Sequence, residues 1–254
     1  AMAKLLVTGG AGFIGSHLPA SLIDAGHDVT AIDDLSTGSI ENVSALEKSR
    51  RFELIVANVR ETRTIDSLVR DSDAVFHLAA SVGVEQTVAR PASTIENNLI
   101  GTQVVLSAAA RYRRHVLVAS SSEVYGASAC GPHEEGAPLR LGMPALSRWA
   151  YAGSKACEEY LALSLHQERG LPVVVIRLFN IVGPRQSDQY GMVLPRFAQQ
   201  ALTGNPITVH GSGEQRRCFL DVRDAVRGLS DLLMSTAPIG QIVNLGSGEG
   251  LFLP

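Results

Sequence analysis

Cysteine is scarce in this sequence. Cys130, Cys157 and Cys218 are the only three in 254 residues, and no two have CxxC spacing. An odd count leaves at least one unpaired, so neither a disulfide scaffold nor a zinc site is expected, and a reducing cytoplasm fits. An excess of basic charge is also missing. The net charge is −3, and no basic field suggests a nucleic-acid partner. No apolar run approaches the ~20 residues that a membrane-spanning helix needs. The N-terminus shows no signal-peptide pattern. Internal repeats and low-complexity segments are absent. What the chain has is apolar material, 45% of its residues. That is enough for one large domain with its own core, or a domain with a small appendage.

The apolar residues come in short runs that alternate with helical spacing. Leu5–Val7, Asp28–Asp33, Arg51–Val56, Ala74–Ala79, His115–Ala119 and Val173–Arg177 read as strands. Helices are expected over Thr64–Asp71, Thr94–Ala110 and Tyr151–Glu168. Repeated strand–helix units with apolar strands predict an α/β fold, a doubly wound parallel sheet covered on both faces. From Gly183 onward the pattern loosens. Met192–Leu202 and Ala225–Met234 read as helices, and Ile207–Val209 and Ile242–Leu245 as short strands. Residues 1–182 are therefore expected to form the main domain. Residues 183–254 would form a small lobe at the carboxyl ends of the strands, with one strand returning to the sheet. Such sheets bind their ligands at those ends.

The stretch Lys4–His17 carries the first chemical signal. An apolar run is followed by Gly9, Gly12 and Gly15, and then Phe13, Ile14 and Leu18 fall at helical spacing. A strand, a tight glycine turn and a helix start bring backbone N–H groups close to a pyrophosphate. Asp33 lies 24 residues after Gly9, at the end of the second strand. An acid there hydrogen-bonds ribose hydroxyls and repels a 2′-phosphate, which favours NAD over NADP. Asp34 is an alternative for the same role.

Tyr151 and Lys155 stand at i and i+4, on one helix face. An ammonium near a phenol favours phenolate and lowers the tyrosine from ~10 towards working pH, which makes it a usable base. The pair follows the serine cluster Ser120–Ser122, which closes a strand. His77, in an apolar strand, reads as a satisfied core histidine. His77 and His210 have no ligand spacing, and no metal is expected.

These residues together resemble the extended short-chain dehydrogenase/reductase superfamily, in its NAD-dependent nucleotide-sugar epimerase/dehydratase branch. The resemblance rests on Thr8-Gly-Gly-Ala-Gly-Phe-Ile-Gly15, Asp33, Leu78-Ala-Ala80, Asn98 and Ser120-Ser-Ser-Glu-Val-Tyr-Gly126. Tyr151-x-x-x-Lys155 and Arg177-Leu-Phe-Asn-Ile-Val-Gly-Pro-Arg185 complete it. It implies a Rossmann fold with a small C-terminal substrate-binding lobe. It also implies that Gly9, Gly12, Phe13, Ile14 and Gly15 wrap the pyrophosphate and that Asp33 holds the ribose. Asn58 and Val59 would flank the adenine, although the family usually has Asp at position 58. Leu78, Ala79 and Ala80 would line the cofactor, with Asn98 and Lys155 near the nicotinamide. Ser121 would polarise the sugar hydroxyl and Tyr151 would take its proton.

The serine cluster discriminates within the branch. Sugar 4,6-dehydratases carry Thr-Asp-Glu where this chain has Ser121-Ser122-Glu123, and Ser122 cannot act as their general acid. The decarboxylases of UDP-glucuronate carry Thr-Ser-Glu, so Glu123 points to an enzyme handling a uronate. On the sugar-nucleotide side the resemblance suggests Ser122, Asn180, Val193, Thr208, Val209 and His210. Arg217 fits a phosphate clamp, and Arg185 or Arg196 a sugar carboxylate. The family continues beyond the last strand, so this sequence has either a reduced lobe or a missing part.

The expected activity is an NAD-dependent UDP-sugar 4-epimerase acting on UDP-glucuronate or UDP-glucose. Decarboxylation of UDP-glucuronate is the alternative, and a non-catalytic NAD sensor a distant one. A homodimer built through the helices around Thr94–Ala110 and Tyr151–Glu168 is implied by the resemblance.

Overall fold

The computed structural model describes residues 2–126, 132–187, 192–209, 216–248 and 250–252. The first half runs β1 (Lys4–Thr8), α1 (Leu18–Asp24), β2 (Asp28–Asp33), β3 (Phe52–Val56), α2 (Thr62–Arg70) and β4 (Ala74–His77), with only two short 3₁₀ turns between β2 and β3. A short α3 (Val84–Ala89) and a long α4 (Pro91–Tyr112) lead to β5 (His115–Ser121). Then come α5 (Ala150–Arg169), β6 (Val173–Leu178), β7 (Ile181–Val182), α6 (Val193–Leu202), β8 (Arg216–Cys218) and β9 (Leu220–Asp221). Helix α7 (Val222–Met234), β10 (Ile242–Leu245) and β11 (Gly250–Phe252) close the chain.

Seven strands form one parallel sheet in the order β10-β6-β5-β4-β1-β2-β3. The order reverses between β1 and β4, and ligands bind such sheets in the crevice at that switch point. Strand residues alternate between the faces. Leu5, Val7, Phe76, Val174 and Ile176 pack with α1 and α7 on one face. Leu6, Val75, Val116, Val173 and Val175 pack with α2, α4 and α5 on the other. Burial on both faces explains why the strands read as continuous apolar runs.

The chain after Gly183 does not stand apart. Val222, Ala225, Val226 and Leu229 of α7 belong to the same core as β1. Strand β10 pairs with β6, Ile242 opposite Val175. Two small sheets remain outside: β7 with β9, parallel, and β8 with β11, antiparallel.

Two local expectations fail for identifiable reasons. Residues 207–209 form no strand. They are tied to α6 by side chains instead: Thr208 N–H donates to Gln200 Oε1 at 3.1 Å, and Arg196 Nη2 donates to the Thr208 carbonyl at 3.2 Å. The first helix starts only at Leu18, because Pro19 has no N–H to give the Gly15 carbonyl. Residues 9–17 are a run of turns.

Candidate active site

The glycine turn is shaped by contacts that no side chain could share. Gly9 has φ +70°, and a Cβ there would lie 2.9 Å from the Ala79 Cα. A Cβ on Gly15 would lie 2.1 Å from the Gly9 carbonyl oxygen. The turn is held by Gly9 N–H to Ile32 O at 2.8 Å and Gly12 N–H to Gly9 O at 3.1 Å. Among the described residues, the N–H groups of Phe13, Ile14 and Gly15 meet no acceptor. Backbone donors are rarely left orphaned, and these three residues line a cleft of about 220 Å³. A pyrophosphate would satisfy them. The turn rather than a helix end supplies the donors, since α1 starts three residues later.

The opposite wall carries acids. Asp33 is buried at 7% exposure and accepts from Ala11 N–H at 3.0 Å and Leu35 N–H at 2.8 Å. Burial raises its carboxyl pKa, and those backbone donors pull it back. Asp34 accepts from Asn58 Nδ2 at 2.6 Å. Two carboxylates here, with no arginine among the described residues that line the cleft, suit a ribose diol and oppose a 2′-phosphate. The donor set therefore fits NAD.

Every residue assigned above to the cofactor lines this one cleft except Asn98. Asn98 is buried at 2% exposure, and its amide joins three segments. Its Oδ1 accepts from Ser81 N–H at 2.7 Å, and its Nδ2 donates to Ser154 Oγ at 3.0 Å. Its neighbour Asn97 lines the cleft instead, as do Ser36, Thr37, Ser81 and Val82. Ser36 and Thr37 lie in the turn-rich stretch Asp34–Gly38, and nothing in the sequence pattern marks the others.

At the far end of the cleft stand Tyr151 and Lys155, on the first turns of α5. Ser121, at the end of β5, is near enough to Tyr151 to favour its phenolate, but it does not itself line the cleft. The Tyr151 pKa is not lowered, as the Tyr–Lys spacing suggests, but raised well above the ordinary tyrosine value. Burial is the main cause, the Glu123 and Glu158 charges add to it, and Ser121 opposes it. Lys155 does not offset this, because its ammonium is engaged elsewhere. Lys155 Nζ donates to the Ala119 carbonyl and to Glu158 Oε2, both at 2.9 Å. Glu158 and its neighbour Glu159 escaped the sequence reading. Glu159 takes a two-pronged bond from Arg177, Nε to Oε1 at 2.9 Å and Nη2 to Oε2 at 2.7 Å. Ser120 Oγ donates to the same Oε1 at 2.5 Å.

Glu123 follows Ser121 and Ser122 in a single 3₁₀ turn, whose N-cap is Ser121 accepting from Glu123 N–H at 3.2 Å. Its side chain reaches solvent, yet the surrounding protein raises its carboxyl pKa, with Arg148 acting the other way. His77 is a satisfied core residue, with Nδ1 2.8 Å from Thr8 Oγ1 and Nε2 2.9 Å from Thr102 Oγ1.

Of the residues assigned to the sugar nucleotide, none of the described ones lines the cleft. Asn180, at φ +33°, donates from Nδ2 to the Cys218 carbonyl at 3.0 Å. Arg185 turns back to the glycine turn and donates from Nη1 to Ser16 O at 2.9 Å and Ser16 Oγ at 3.2 Å. A sugar carboxylate would have to draw it away. Arg196 lies over the Phe197 ring on α6, whose first residue is Val193. Thr208, Val209 and Arg217 are exposed. His210 lies outside the described residues.

Comparison with known proteins gives the family. A family model described as the NAD dependent epimerase/dehydratase family matches residues 5–246. A UDP-N-acetyl-alpha-D-glucosaminuronate decarboxylase of Bacillus cytotoxicus is 40% identical over 247 residues, 97% of this chain and 75% of that protein. A UDP-glucuronic acid decarboxylase of Xenopus tropicalis is 37% identical over 246 residues, and this chain spans only 56% of its length. The solved UDP-glucuronic acid 4-epimerase of Bacillus cereus, in complex with UDP-glucuronic acid and NAD, superposes with a TM-score of 0.88 at 31% identity. The match covers 98% of this chain and 79% of that one.

Proposed function

The chain belongs to the NAD-dependent epimerase/dehydratase family, and on that premise we propose that it oxidises C4 of a UDP-linked uronate and inverts that centre. The cofactor of the family is NAD, and the cleft described above suits it. The observation that carries the proposal is the single cleft that runs from the glycine turn and Asp33 to Tyr151 and Lys155.

NAD, when bound, supplies the acceptor for the C4 hydride and the donor for its return. The remaining work falls to the protein. Ser121 holds the O4 hydroxyl by a hydrogen bond, and Tyr151 as phenolate takes its proton. Tyr151 gives the proton back when the 4-keto group is reduced from the other face. Ser122, standing where a dehydratase needs an acid, disfavours loss of water.

A second reading is favoured by Glu123. A 4-keto uronate is a β-keto acid and loses CO₂ when its carboxylate stands perpendicular to the ketone plane. The enolate so formed needs a proton, and a carboxyl with raised pKa close to Tyr151 is a suitable donor. The Bacillus cytotoxicus and Xenopus tropicalis relatives support this alternative as well as the Bacillus cereus structure supports the first. Incubation with UDP-glucuronate and NAD, followed by product mass, separates them. An epimer of unchanged mass is the expected result. A product lighter by CO₂ replaces epimerisation by decarboxylation, and absence of turnover with UDP-sugars removes both.

A further inference from the structure

Behind the cleft runs a line of buried polar groups that neither oxidation nor hydride return uses directly. Ala79 N–H donates to Thr8 Oγ1 at 3.2 Å, and Thr8 Oγ1 lies 2.8 Å from His77 Nδ1. His77 Nε2 lies 2.9 Å from Thr102 Oγ1, and Thr102 donates to Glu158 Oε2 at 2.9 Å. Lys155 Nζ reaches the same oxygen at 2.9 Å. The side chains of Lys155 and Glu158 are only 3% and 1% exposed. Each hydroxyl has one proton to give, and a neutral imidazole has one N–H. All the bonds are satisfied together if donation runs one way, from Ala79 through Thr8, His77 and Thr102 into an ionised Glu158. Among the described residues, Glu158 Oε1 has no partner. The carboxylate is thus held by one oxygen, and Lys155 is its counter-charge.

We propose that Glu158 is a positioning residue that pins the Lys155 ammonium against β5 and cancels its charge, so that Tyr151 keeps its phenolic proton in the ligand-free enzyme. The inference rests on Tyr151 being the base of the reaction proposed above. The other charged or titratable groups around Tyr151 do not take over this role. Glu123, from the turn after β5, adds to the negative field and is itself opposed by Arg148. From β6, Arg177 is neutralised by Glu159. From β4, His77 stays neutral, and α4 presents the uncharged Thr102 and Asn98. Removing Glu158's charge therefore leaves Lys155, one helical turn along α5 from Tyr151, uncompensated.

The test is a pH titration of tyrosinate absorbance in the ligand-free protein, with the Tyr151→Phe spectrum subtracted to isolate Tyr151. In Glu158→Gln the Tyr151 phenolate is expected at a pH at least one unit lower, about a tenfold change in proton affinity. In Lys155→Met/Glu158→Gln, which buries no unpaired charge, the titration is expected to return to that of the wild type. The double variant also serves if the single one fails to fold. An unmoved or upward-moving titration in Glu158→Gln overturns the proposal, and so does a double variant displaced from the wild type. The acid limb of kcat/KM with UDP-glucuronate is expected to move with the titration. Should the titration shift while no UDP-sugar is turned over, the functional proposal fails and the role of Glu158 stands.

Discussion

Tyr151 works as a base only as phenolate, and burial, Glu123 and Glu158 all oppose that form. The free enzyme must therefore lose a proton from a group with raised pKa before it reacts. The expected outcome is a kcat/KM that climbs with pH through neutrality into the alkaline range, with no plateau near pH 7, checked by initial rates with UDP-glucuronate. Tyr151→Phe is expected to lower kcat by about a hundred- to ten-thousand-fold, while calorimetry finds NAD binding retained. His77 gives a different pH signature. Burial, and secondarily the charge of Lys155, lower its pKa from 6.5 to about 3. The unfolded chain thus binds a proton below pH 6.5 that the folded protein refuses down to about pH 3. The stabilising contribution is complete above 6.5 and falls by about 1.4 kcal/mol per pH unit through that window. Denaturation midpoints of His77→Gln are expected to depend less steeply on pH between those limits than those of the wild type.

Helix α5 shows why part of the site was not legible. Tyr151, Ser154, Lys155, Glu158 and Glu159 recur at helical spacing, a polar stripe of the kind that usually faces water. Here the stripe faces inward. Ser154 meets Asn98, Glu158 meets Thr102, and Glu159 meets Ser120 and Arg177. Buried polar groups need partners, and those partners come from distant positions that spacing along one helix does not reveal. The Tyr–Lys pair was readable, but Glu158, which engages the Lys155 ammonium, was not. The Arg177–Glu159 pair joins β6 to α5 in the interior, and Arg177 also stacks on the Tyr125 ring. Arg177→Met leaves Glu159 buried without a counter-charge and is expected to cost about 3–5 kcal/mol in urea denaturation. Arg177→Met/Glu159→Leu is expected to recover much of that loss.

At the scale of the whole molecule, the parallel sheet was legible because burial on both faces writes each strand as an apolar run. The cofactor cleft was legible because a tight turn needs glycine and a ribose needs an acid. The half after Gly183 was harder. Strands β7 and β9 have two residues each, too few to show a period, and Ile207–Val209 has strand composition without a partner strand. Among the described residues no helix is long and apolar enough to cross a membrane. Helices α4 and α5 lie against each other and leave Ile95, Ile100 and Tyr160 exposed, Tyr160 by 68%. We propose these helices as the dimer contact. Sedimentation is expected to give a dimer, and Tyr160→Glu to shift it towards monomer.

Arg185 bonds to both polar oxygens of Ser16, and His17 meets the Pro184 carbonyl at 3.0 Å. The segment that follows β7 is thereby bolted onto the back of the glycine turn, far away in sequence. Anyone transplanting that segment from a relative to change the choice of sugar would be moving half of a joint. The graft would have to carry positions 16 and 17 with it, or the turn would be left to find a new shape.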